Sequence, residues 1–100
     1  MIKHLINLLI LITACFASSA LAVNCQRAKT PLENTICNND NLNWLDNTMS
    51  TVYRAMLVTR DARQVHQEYE TWEKSLEWCS SDECIERAYY AGIGKIAEAQ

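Results

Sequence analysis

Glycine and proline are nearly absent, with two of the first and one of the second in one hundred residues. The sequence accordingly holds no Gly-rich phosphate loop and no G-x-S-x-G serine elbow, which excludes the chemistries built on them. Positive charge is also scarce. Nine Lys and Arg face twelve Asp and Glu, a net of −3; without residues 1–22, and so without Lys3, eight face twelve, a net of −4. Nucleic acid needs a basic face, so it is not an expected partner. An acidic surface instead favours encounter with a cationic protein. His66 is the only histidine besides His4, and no cysteine or second histidine lies near it in sequence. That leaves no metal-ligand spacing, and it reads as a partly exposed polar residue of a helix. Asp46, Asp61, Glu68 and Glu73 could pair as acid and base only in a pocket, which a few short helices do not imply. No catalytic residue, metal or cofactor is expected, and the chain reads as a non-enzyme. Repeats, low-complexity tracts and linkers are missing too.

No apolar run is long enough for a convincing transmembrane span. Leu5 to Ala17 is mostly apolar, interrupted by Asn7 and Thr13, preceded by Lys3 and His4 and followed by Ala20-Leu21-Ala22. This is the layout of a secretion signal over residues 1–22, cleaved after Ala22, with a domain over 23–100. A rival reading takes Ile12-Thr13-Ala14-Cys15 as a lipobox, with Cys15 lipidated as the first residue and the protein tethered to a membrane face. Either exit places the domain in the periplasm or outside the cell, the second as an outer-membrane or cell-surface lipoprotein.

Both exits leave Cys25, Cys37, Cys79 and Cys84. Four cysteines in a short exported domain predict two disulfides. Three pairings are open; Cys25–Cys37 and Cys79–Cys84 are favoured because each brackets a local turn. Such bridges suit a chain whose core is thin.

The remaining pattern is helical. Leu42, Leu45, Met49, Val52, Tyr53, Met56 and Leu57 recur by threes and fours, as do Val65, Tyr69, Trp72, Leu76 and Cys79. That is a helix stripe, not strand alternation. Thr30, Pro31 and Glu33 form a capped start for a short helix ending near Cys37. Asn38 or Asp40 is expected to cap a long helix from 41 to 58, with Asn43, Asn47, Ser50 and Arg54 on its outer face. Asp61 and Gln64 resemble a capping pair and predict a turn at 59–61; one continuous helix from 41 to 79 is the alternative. The next helix is expected over 62–78, with Glu70 and Lys74 paired at i,i+4. Ser80 with Glu83 reads as a capping box for a third long helix over 82–97. Gly92 and Gly94 either permit close helix approach there or let it fray beyond Ala91. The fold class is all-α: an antiparallel bundle of three longer helices of similar length plus a short N-terminal one, held by two disulfides.

Seven large rings remain after residue 22. Tyr53 and Trp72 lie on the stripes and read as core. Trp44, Trp78 and Tyr90 are harder to bury and are the expected contacts for a protein partner.

The frame resembles the LprI-like family, small secreted bacterial domains named after a mycobacterial lysozyme inhibitor. The resemblance rests on Cys25, Thr30-Pro31, Glu33, Ile36 and Cys37; on Leu42, Leu45, Asp46 and Tyr53; and on Trp72, Cys79 and Cys84. The chain departs from the family pattern at Tyr69-Glu70, at Leu76 and at Gly92. The resemblance implies an extracytoplasmic helical domain that binds and inhibits lysozyme, with Thr30, Pro31, Glu33, Asp46, Tyr53 and Trp72 in structural roles. It carries no inhibitory residue set. The alternative is a cell-envelope interaction, immunity or adaptor protein that leaves lysozyme alone.

Overall fold

A computed structural model describes residues 22–98. The segment expected to be a secretion signal, as far as Leu21, and the alternative lipidation position Cys15 lie outside the described residues. Four α-helices are present among the described residues: α1 (Pro31–Asn38), α2 (Asp40–Thr59), α3 (Ala62–Ser75) and α4 (Asp82–Ile96). Single 3-10 turns occupy Cys25–Arg27 and Leu76–Trp78. The disulfides are Cys25–Cys37 and Cys79–Cys84, the two local pairings.

Local chemistry sets where each helix begins. Thr30 Oγ1 accepts from the Glu33 amide at 3.1 Å, and the Glu33 carboxylate accepts from the amides of Thr30 and Lys29 at 3.1 and 3.2 Å. These donors, the Thr30 amide foremost, hold the Glu33 carboxyl below its usual range. The cap is therefore intact at neutral pH and is lost as pH falls through that lowered value. Asp61 accepts from the amides of Arg63 and Gln64, so the chain turns at Arg60–Asp61 and the single long helix is ruled out.

Asn39 Nδ2 donates to Asp82 at the start of α4 (3.0 Å), and the Arg60 guanidinium donates to the Ile96 carbonyl at its end (2.8 Å). The starts of α2 and α4 therefore share one end of the bundle, and α3 runs antiparallel to both. The apolar stripes meet inside. Ile36, Leu42, Leu45, Met49, Tyr53, Val65, Tyr69, Leu76, Ile85, Tyr89 and Ile96 form one buried cluster.

Several expectations need correction. The cap of α2 is Asn39, not Asn38 or Asp40, because Asn38 still belongs to α1 and only Asn39 has extended backbone between the two helices. Its side-chain oxygen accepts from the Leu42 amide at 3.1 Å. The cap of α4 is Ser81, not Ser80: Ser81 immediately precedes the first helical residue, and its hydroxyl accepts from Cys84, which occupies the position assigned to Glu83. Ser50 is buried, not outward, and its hydroxyl accepts from Arg54 at 3.1 Å. Glu70 pairs with His66 instead of Lys74. The helix over 62–78 tightens to a 3-10 turn after Ser75, and the long helices measure 20, 14 and 15 residues instead of being near-equal. The helix α4 does not fray at Ala91.

Candidate interaction surface

Two sets of rings divide the molecule. The inner set runs Tyr53, Tyr69, Trp72, Tyr89, with successive centroids 4.3, 5.6 and 5.0 Å apart. It joins α2, α3 and α4 through tilted and edge-on contacts, the arrangement ring quadrupoles favour. The Trp72 indole N–H donates to the Ala88 carbonyl at 2.7 Å, and its ring lies on Gly92, where an added Cβ would fall inside the ring's van der Waals envelope. Gly92 thus permits the close approach of α3 and α4; Gly94 faces open space. At the edge of this set, the Tyr53 hydroxyl meets His66 Nδ1 at 2.7 Å, while His66 Nε2 faces Glu70.

Asp46, only 9% exposed, sits beside this set on α2. Its Oδ1 accepts from the Tyr89 hydroxyl at 2.8 Å and its Oδ2 from the Val23 amide at 2.6 Å. Burial pushes the Asp46 carboxyl up, and these two donors only partly oppose it. The Tyr89 hydroxyl is held far above its ordinary range by burial first and by the Asp46 charge second. Asp46 is therefore an interior acid held by two hydrogen bonds. Asp61 caps α3 and Glu68 binds Arg60 at 3.0 Å, whereas Asp46 and Glu73 border one recess, so the four acids do not converge as a set. Among the described residues no group of His, Cys, Asp and Glu could hold a metal ion.

The outer set is Trp44, Trp78 and Tyr90, which are 59%, 87% and 54% exposed. Trp78 projects from the 3-10 turn next to the Cys79–Cys84 bridge. Trp44 lies in the second turn of α2, near the same end of the bundle, and floors a shallow recess with Asn47, Thr51 and Val52. Tyr90 lies farther along α4. None of the three joins the ring contacts among the described residues. Val58, 84% exposed near the far end of α2, is an additional outward apolar group that its near-stripe position obscured. A groove of about 400 Å³ separates α3 from α4, with Trp72, Gly92 and Ile96 among its lining and Gln64, Glu68 and Lys95 at its rim.

The expected site residues thus fall into three groups. Thr30, Pro31 and Glu33 build the α1 cap, Asp46, Tyr53 and Trp72 belong to the interior, and Trp44, Trp78 and Tyr90 face outward. Sequence reasoning missed the Asp46–Tyr89 pair, which spans 43 positions; an acid within an apolar stripe was the one available signal. Among the described residues no helix is long and apolar enough to cross a membrane. What fold and surface define is a disulfide-held all-helical domain with outward indole and phenol rings. No known protein family matches the chain, and neither a curated protein nor a solved structure does.

Proposed function

We propose that this chain is an exported binding protein that engages a cationic protein of the cell envelope or its surroundings, with lysozyme as the first partner to test. The observation that carries the reading is the exposure of Trp44, Trp78 and Tyr90 on capped helices and beside a disulfide. Large rings held on rigid backbone lose little entropy on binding and are the commonest interface anchors. The net acidic charge supports a cationic partner through encounter rate. The four-cysteine frame and its resemblance to LprI-like domains support lysozyme specifically. Inhibition works by occlusion: an exposed ring enters the enzyme's cleft, and no bond is made or broken. The location is periplasmic or extracellular, by cleavage after Ala22 or by a lipid anchor on Cys15, and intact mass distinguishes the two.

The test is a lysozyme activity assay with purified protein, alongside complex formation by size-exclusion chromatography. Inhibition is expected, and Trp78→Ala or Trp44→Ala weakens it at least about tenfold, the loss typical of an interface anchor. No inhibition at micromolar protein across lysozyme types overturns the lysozyme reading. The second reading, an envelope adaptor or immunity protein, rests on the same exposed rings and predicts co-purification with another envelope protein that the Trp78→Ala variant loses.

A further inference from the structure

The one buried carboxylate of the described residues has no cationic side chain against it. Asp46 Oδ1 is taken by the Tyr89 hydroxyl, and Oδ2 is taken, at 2.6 Å, by the main-chain nitrogen of Val23. A carboxylate removed from water this thoroughly is costly unless a positive charge accompanies it. Val23 is the residue that follows Ala20-Leu21-Ala22, the small-x-small pattern at which an exported chain is cut. The atom that touches Asp46 is therefore the atom that cleavage would convert into a free amine.

We propose that cleavage of the Ala22–Val23 bond completes the fold: the new α-ammonium of Val23 docks on Asp46 and forms a buried ion pair that the uncut chain lacks. The inference rests on the export reading and is independent of the lysozyme one. Water, delivered by an envelope signal peptidase, splits the amide. Its oxygen goes to the Ala22 carbonyl to give a carboxyl group, which releases a proton. The Val23 nitrogen takes one proton as the bond breaks and a second from solvent to become the ammonium. The surroundings suit a cation. Val23 sits at a recess of about 300 Å³ shared with Leu32, Ile36 and Leu76, and the titratable groups facing it are Glu33 from α1, Asp46 from α2, Tyr69 and Glu73 from α3, and Tyr89 from α4. None of these carries positive charge. The ammonium also reverses the sign of Asp46's contribution. Against a neutral amide, burial makes the carboxylate prefer its proton; against an ammonium, the ionised form is held.

Sign and window follow from linkage. A docked α-ammonium has its pKa raised above the ordinary 7.7–8.0 or so, so its stabilisation is lost as pH rises through the raised value; at the acid end it is lost as Asp46 takes up a proton, and the pair is complete near neutral pH. The test compares three forms of the folded, oxidised protein: the chain beginning at Val23, the same chain with Ala22 retained, and the Val23 form with its α-amine acetylated. N-terminal sequencing of the exported protein first reads the cut. A start at Val23 is expected, and any other start, including a lipidated Cys15, overturns the proposal. Blocking or extending the amine is expected to lower the melting temperature at pH 7 by about 5 °C or more, and to have little effect in Asp46→Asn. An equal drop in both backgrounds overturns the pairing while leaving export standing. Should Asp46→Asn fail to fold, the wild-type α-amine is titrated by NMR: a pKa above about 8.5 supports the pair, and one in the ordinary range of about 8 overturns it.

Discussion

The two ends of the bundle are closed by different means. At one end the chain turns between α2 and α3 with no covalent help. Arg60, its side chain 6% exposed, forks onto both oxygens of Glu68 at 3.0 and 3.2 Å and also holds the Ile96 carbonyl at the end of α4. At the other end the chain turns between α3 and α4 around Cys79–Cys84, with Ser81 as the cap and Trp78 left outside. One end thus depends on a single buried cation serving two partners, and the other on a sulfur bridge that constrains the unfolded chain. The difference teaches where sequence variation is tolerated. A bridged turn holds its shape without packing its side chains, so it can display an indole. A turn held by charge depends on the one side chain that folds inward, Arg60.

Substitutions break this contrast in descending order. Arg60→Met should be the most damaging, at about 3 kcal/mol in urea unfolding, because Glu68 and the Ile96 carbonyl are left buried without a donor. A loss below about 1 kcal/mol would mean that water replaces the guanidinium there. Between the ends, Gly92→Ala should cost about 2 kcal/mol by driving a methyl into Trp72, and the shifted indole should show in near-ultraviolet circular dichroism. Cys79→Ser should cost about 2 kcal/mol, the loop-closure value for a five-residue separation. The fully reduced protein, which loses Cys25–Cys37 as well, should melt lower than this variant. Gly94→Ala is the smallest and has the opposite sign, a gain of up to about 1 kcal/mol, since nothing lies near that position and alanine is the better helix former.

What the sequence made legible follows the same division. Periodicity placed the two stripes, since Leu42, Leu45, Met49, Tyr53, Val65, Tyr69 and Leu76 are all buried. Parity and proximity gave both bridges. The Thr30–Glu33 box was readable because its partners are three residues apart. The caps of α2 and α4 were misplaced by one residue because each lies in a run of short polar residues, any of which can accept from a helix amide. Arg60 and Asp46 were opaque for a different reason. Their partners, Ile96 and Tyr89, lie 36 and 43 positions away, and no local pattern identifies a partner at that distance. Trp44, Trp78 and Tyr90 were legible only as rings that exceeded what the stripes could bury.

Asn39 ties three helices together. One residue ends α1 through its main-chain N–H on the Ile36 carbonyl, starts α2 through its side-chain oxygen and reaches α4 through its side-chain amide hydrogens. Deamidation there would keep the oxygen that serves Leu42 and replace the amide facing Asp82 with a second negative oxygen. Aged protein should therefore loosen between α1–α2 and α4 while its helix content holds, and ion-exchange fractions of a stored sample would separate the worn molecules from the fresh.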